Sequence, residues 1–196
     1  MSPERHIVYR QAGPQDEEQI GAIDDSFTTD TVYEVVAGDE GFALRATVVD
    51  PPLLKTFPVD ESTDDESDDD ESDASDDLHV EVAVDEGNEG KVCGFVVAGV
   101  QEWHRRLVVH EIAVAPTHRG YGVGSALMQR ACAYGRRLGA RTAWLETTNV
   151  NVPAVRAYRR MGFTLCGLDT TFYRGTASEG ETALFMSMAL DTGRPA

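Results

Sequence analysis

Two groups of residues have the types and the spacing to do chemistry. The first is Arg119-x-x-Gly122-x-Gly124, within a run where Gly120, Gly122 and Gly124 alternate. It follows an apolar stretch (Val108, Val109, Ile112, Val114) and Pro116, and it opens a segment of helical spacing. Strand, glycine turn and helix start leave backbone N–H groups at the positive end of a helix dipole, which suits an anion. Spacing excludes two phosphate motifs. A dinucleotide fingerprint begun at Gly120 needs glycine where Ser125 stands, and no Gly-Lys-Ser/Thr closes a Walker loop. The second group is a pair of carboxylates in apolar strands, Glu111 and Glu146. A carboxylate in such a place must face a cleft or find a partner. Partial burial raises its pKa toward that of a base working near neutral pH. For Glu111 a salt bridge to Arg119 or Arg106 is the competing structural role.

Periodicity supplies the elements that must position these groups. His6–Arg10 reads as a first strand and Gln15–Ile23 as a short helix. Asp24–Thr31 is too polar for a regular element. Val32–Val36 and Phe42–Val49 read as a hairpin around Gly38–Gly41, broken by Pro51-Pro52. Leu78–Val84, Lys91–Val100 and Leu107–Val114 follow as strands, the last two apolar enough to be central. Val123, Leu127, Ala131, Tyr134 and Leu138 step along one face of a helix that Gly139 closes. Thr142–Thr147 is a strand, Ala154–Met161 a helix begun by Pro153 and ended by Gly162, and Phe163–Leu168 and Ala183–Leu190 the last strands. The order predicts one α/β (α+β) domain over residues 1–196 with a central mixed sheet.

The charge of −17 is unevenly spread: Asp60–Asp77 alone holds twelve carboxylates and no base. Such a tract cannot repay the entropy of ordering, so a disordered acidic loop at 60–77 is expected. Its functional alternative is a field that draws a polycation toward the site. The balance excludes a nucleic-acid partner, which needs a basic face. No apolar run is long enough to span a membrane, and Met1–Arg10 lacks a signal-peptide core, so the cytoplasm is the expected location. Cys93, Cys132 and Cys166 form no C-x-x-C and sit in apolar segments, which predicts buried free thiols. His110 and His118 show no metal-ligand spacing, and no metal is expected.

Arg119-x-x-Gly122-x-Gly124, followed by Asn151-x-x-Ala154-x-x-x-Tyr158-x-x-x-Gly162-Phe163, resembles the two motifs of the GNAT N-acetyltransferases. Longer strings resemble streptothricin (nourseothricin) acetyltransferases: Ile23–Val32, Trp103-x-Arg105-Arg106-Leu107, Arg159–Thr170 and Gly175–Glu181. The resemblance implies a twisted, mostly antiparallel sheet flanked by helices, with splayed central strands holding acetyl-CoA as cosubstrate. It implies acetyl-CoA contacts from Ile112, Ala113 and Val114 on the strand. Arg119, Gly120, Tyr121, Gly122, Val123, Gly124 and Ser125 follow at the turn and helix start, with Asn151 beyond. The Val114 N–H would steady the thioester oxygen. Tyr158 would protonate the departing thiolate, a fitting role for a phenol with an ordinary pKa near ~10.

The implied reaction acetylates a primary amine of streptothricin, on its β-lysine part, and confers resistance. An ammonium has no lone pair, so a base must first take its proton, and Glu111 is the favoured residue. Glu146 is the rival base or an ammonium-binding carboxylate, Asp25 another cation binder, and Trp103 an aromatic wall for the cleft. The implied partner is thus a cationic small-molecule antibiotic, with a homodimer left open. Two alternatives stay open: acetylation of another cationic amine (aminoglycoside, polyamine or protein N-terminus), and a non-catalytic acetyl-CoA-binding module.

Overall fold

The computed structural model describes residues 6–57 and 78–190, so the acidic loop expected at 60–77 lies outside the described residues. In chain order the elements are β1 (Ile7–Gln11), α1 (Glu17–Gly21), β2 (Phe27–Gly38), β3 (Gly41–Lys55), β4 (His79–Asp85), β5 (Lys91–Gln101) and β6 (Arg106–Val114). After them come α2 (Val123–Arg137), β7 (Thr142–Thr148), α3 (Val152–Met161), β8 (Thr164–Asp169) and β9 (Ala183–Ala189). Seven strands form one sheet in the order β1-β4-β5-β6-β7-β9-β8, and β2 and β3 form a separate ribbon. All pairings in the large sheet are antiparallel except β6 with β7.

The parallel pair is the organising feature. It runs only from Arg106↔Thr142 to Val109↔Leu145, although β6 continues to Val114 and β7 to Thr148. Beyond Val109 the two central strands therefore part. At that point β6 carries an extra residue against β5: Val97 pairs with Glu111 and Ala98 with Val109, leaving His110 as a bulge. The bulge turns two successive side chains, His110 and Glu111, to solvent on an otherwise inward strand.

Helix α2 packs on β4, β5 and β6. Its buried residues Val123, Leu127, Met128, Ala131, Cys132 and Gly135 recur at the helical spacing that one apolar face requires. The last turn differs from expectation. The helix ends at Arg137, Leu138 is a largely exposed cap residue, and Tyr134 stacks on the His79 ring with centroids 4.0 Å apart. The core joins that face to Leu107, Leu145, Phe163, Leu184 and Met186. Cys93 and Cys132 are buried and in no disulfide, as expected, whereas Cys166, on the edge strand β8, is exposed.

The hairpin is longer than periodicity predicts. Phe27–Thr31, polar as it is, extends β2, and Pro51-Pro52 does not end β3. Thr29 pairs with Leu53 and Thr31 with Val48, so the prolines sit in a bulge that needs no ladder N–H. The ribbon docks on the sheet through Asn149: the Tyr33 N–H donates to the Asn149 carbonyl at 2.9 Å, and the Asn149 Nδ2 donates to the Tyr33 carbonyl at 2.7 Å.

Candidate active site

The cleft opens where β6 and β7 separate, with a cavity volume of about 480 Å³. Its floor is the C-terminal half of β6 and the start of α2, and α3 forms the opposite wall. Strand alternation aims the backbone of β6 into it. The Ala115 N–H donates to the Cys93 carbonyl at 2.9 Å, so Ala113 and Ala115 face β5. Ile112 and Val114 must then point their N–H and C=O groups the other way, into the gap that β7 has left. The resulting row of edge donors is what a thioester oxygen and a pantetheine-like chain need.

The glycine turn continues that row. Gly120 and Gly122 adopt φ of 82° and 86°, left-handed values that disfavour any side chain, and Gly122 caps α2. A Cβ built on either glycine meets nothing within 4 Å, and both glycines line the cleft. Such a cradle at the start of a fifteen-residue helix fits a pyrophosphate. Beneath it, the buried His118 places Nε2 2.9 Å from Asp85 Oδ2 and Nδ1 2.9 Å from Thr117 Oγ1, bracing the turn against the end of β4.

Ile112, Ala113, Val114, Arg119, Gly120, Gly122, Val123, Gly124, Ser125, Asn151, Tyr158 and Asp25 all line this one cleft. Asn151 and Arg119 do so in a different capacity from the one expected of their side chains. Asn151 caps α3, its side chain accepting from the Ala154 N–H at 3.2 Å. The Arg119 guanidinium donates to three carbonyls: Val114 at 2.8 Å, Ser26 at 2.6 Å and Asp24 at 2.7 Å. It thereby ties the glycine turn to the segment that carries Asp25. Arg119→Ala is expected to raise KM for both substrates by about three- to tenfold. A rise confined to acetyl-CoA in steady-state kinetics would return the guanidinium to the anion. Tyr121 belongs to the turn, but its ring is exposed and does not line the cleft.

Three further expected residues lie outside the cleft wall. Trp103 is 84% exposed in the β5–β6 turn, stacked on His104. That turn is at the end of β6 still paired with β7, so Trp103 does not wall the cleft. Glu111 directly follows the bulge and precedes Ile112, the first residue of β6 to line the cleft. Desolvation, then the charge of Asp25, push its carboxyl above the ordinary range. Neither expected salt bridge forms: Arg119 is held by the carbonyls, and Arg106 lies over the Trp144 ring at 5.5 Å. Glu146 lies across the gap on β7, just past the last paired residue, and accepts a hydrogen bond from the Tyr173 hydroxyl. Desolvation raises its pKa, the Tyr173 bond lowers it, and Glu181 raises it again.

Tyr158, on α3, is packed 6.0 Å from the Phe163 ring centroid. Burial, with Glu146 adding, pushes its hydroxyl up to about 12. It is therefore a phenol holding its proton at neutral pH, in the same cleft as the edge donors. Among the described residues no group of His, Cys, Asp and Glu could hold a metal ion, and no helix is long and apolar enough to cross a membrane.

Residues absent from the sequence reading fasten the segment between β8 and β9 near Glu146. Lys55, at the end of β3, donates to Glu181 at 2.5 Å and to Ser178 at 2.9 Å, and the Thr148 hydroxyl donates to the other Glu181 oxygen at 2.6 Å. Glu181 and Ser178 lie in a string singled out by resemblance alone; nothing in its composition reveals these contacts.

Comparison with known proteins agrees with this geometry. Residues 49–163 match the model of the acetyltransferase (GNAT) family. The streptothricin acetyltransferase of Streptomyces lavendulae is 49% identical over 92% of this chain and 93% of its own. The crystal structure of a nourseothricin acetyltransferase superposes with TM-score 0.83 at 51% identity, covering 94% of this chain and 99% of that one. A Bacillus anthracis chain solved with acetyl coenzyme A shares the fold, with TM-score 0.73 at 22% identity over 95% of this chain and 99% of that one. The splayed parallel pair, the glycine turn capping α2 and these likenesses agree: the chain belongs to the GNAT family of acetyltransferases.

Proposed function

We propose that the chain is a streptothricin N-acetyltransferase, moving the acetyl group of acetyl-CoA onto a primary amine of the antibiotic's β-lysine part and so conferring resistance. The observation that carries the acceptor assignment is the identity of 49% with a streptothricin acetyltransferase, sustained over 92% of the chain. The chemistry of the acceptor side agrees, since Asp25, Glu111 and Glu146 offer carboxylates to a polycation from both sides of the gap.

Bound acetyl-CoA supplies an electrophilic thioester carbonyl and a thiolate leaving group. The turn from Gly120 to Ser125 holds its pyrophosphate. The Ile112 and Val114 edge groups hold the pantetheine arm, and the Val114 N–H holds the carbonyl oxygen as it gains charge. Glu111 takes a proton from the acceptor ammonium, directly or through one water, and the amine lone pair attacks the carbonyl carbon. As the C–S bond breaks, Tyr158 gives its proton to sulfur and recovers one from the nitrogen, which must lose a second proton to become the amide. The sum releases one proton, the amide and the CoA thiol.

Because Glu111 must be ionised to act, and its pKa is raised, activity is present above that pKa and lost as pH falls through it. The acid limb of kcat/KM should therefore lie above the ordinary carboxylate range. The deciding experiment follows CoA thiol release with streptothricin, an aminoglycoside and spermidine in parallel. Release with streptothricin at the highest kcat/KM is expected. Release only with another amine reassigns the acceptor, and no release with any of them supports the acetyl-CoA-binding module.

A further inference from the structure

The β8–β9 segment carries Tyr173, Ser178 and Glu181, none of which the reaction above uses. The segment is fastened twice. The Tyr173 hydroxyl donates to Glu146 Oε1 on β7. Glu181 and Ser178 both hold the Lys55 ammonium of β3, and Glu181 also accepts from Thr148 on β7. Lys55 and Glu181 are largely buried, with side chains 12% and 16% exposed, so this fastening is shielded from salt and water. The charges meet in an ordered way: Glu181 is compensated by Lys55, whereas Glu146 has only a neutral phenol on one oxygen. Among the described residues Glu146 forms no ion pair.

The surroundings of Glu146 suit an ammonium group. Phe185 is its direct cross-strand partner and Trp144 lies two residues before it, so both rings share its face of the sheet. The two rings stack with centroids 5.3 Å apart, and Phe172 meets Phe185 edge-on at 5.9 Å. A carboxylate rimmed by aromatic faces binds an alkylammonium through charge and ring quadrupole together. Glu146 also lies near enough to Tyr158 for its charge to raise the phenol, which brings such an ammonium to the reacting end of the cleft.

We propose that Tyr173 is a positioning residue for acetyl transfer: its hydroxyl holds the Glu146 carboxylate against the aromatic rim, where that carboxylate seats the acceptor's ammonium beside Tyr158. The proposal rests on the acceptor being a cationic amine. The groups that set the state of Glu146 are Tyr158 from α3, Tyr173 and Glu181 from the β8–β9 segment, and Lys55 from β3, with Arg106 of β6 over the neighbouring Trp144 ring. Of these, the Tyr173 hydroxyl is the one bonded to the carboxylate, and it favours the ionised form.

Tyr173→Phe keeps the ring and removes only that bond. KM for the amine is expected to rise about tenfold, with kcat and the Kd of acetyl-CoA changed by less than about threefold. The acid limb of kcat/KM for the amine should move to higher pH, because Glu146 loses a bond to its charged form. In a Glu146→Gln background the same substitution should have no further effect on either quantity. A melting temperature and acetyl-CoA affinity near those of the parent exclude general damage. An unchanged KM and acid limb, or full additivity with Glu146→Gln, would overturn the proposal. Turnover of streptothricin by the parent chain is measured first and tests the acceptor assignment alone. Should it fail, the same variant ratios are read with spermidine.

Discussion

Tyr158→Phe is expected to lower kcat by about two orders of magnitude or more, while the Kd of acetyl-CoA stays within about twofold of the parent value. The ring remains packed on Phe163, so the cleft keeps its wall, and the proton on its way to sulfur is all that is lost. Burial first, and the Glu146 charge second, hold this phenol at about 12. A phenol so weakly acidic keeps its proton through the physiological range, and Tyr158 therefore contributes no basic limb there. An ammonium seated on Glu146 cancels the second cause and brings the phenol closer to the acidity that a thiolate can use. Parent-like turnover in a stopped-flow thiol assay would remove Tyr158 from the acid role.

The second large effect belongs to the turn. Gly122→Val should weaken acetyl-CoA binding at least about tenfold, since a left-handed L-residue costs roughly 1–2 kcal/mol and a β-branched one more. The strain has two outlets, and both damage the cradle. Either the valine stays at φ near 86° with its branches projecting into space that the ligand's phosphates need, or the turn moves and carries its N–H groups with it. Gly122→Ala should show the same direction with a smaller loss. Calorimetric titration with acetyl-CoA checks both, and parent affinity in Gly122→Val would show that the pyrophosphate lies elsewhere.

What was legible in the sequence was mostly what the backbone does. The glycine spacing, the apolar run before it and the helix face after it are local signals, and they led to the cleft floor and to α2. Tyr158 was legible through its motif. Side chains that act across long loops were not: Tyr173 meets Glu146 and Lys55 meets Glu181 through contacts separated by 27 and 126 positions, in a segment with no periodicity. Trp103 misled because an aromatic face attracts an ammonium wherever it falls, and only the strand pairing tells which end of β6 it lies beside. Arg119 lines the cleft, yet the carbonyls of Val114, Ser26 and Asp24 take its donors, and the last two lie more than ninety positions away. Pro51-Pro52 looked like a stop because a regular ladder would not accept it; the bulge between Thr29 and Thr31 does.

The β2–β3 ribbon has one more consequence. Its second strand, β3, is mostly exposed apart from the Lys55 side chain, and the ribbon's ties to the rest of the fold include the Tyr33–Asn149 pair and the Lys55–Glu181 contact. Sparse burial of this kind marks a cooperative unit that opens at lower free energy than the seven-stranded core. Lys55 belongs to that unit, whereas Glu146, Tyr158 and the glycine turn belong to the core. Sub-global opening of the ribbon thus releases the Glu181 fastening while leaving the acetyl-CoA cradle folded. Amide exchange would record the ribbon exchanging sooner than β6, β7 and α2, which carry Glu111, Glu146 and the helix start at the glycine turn.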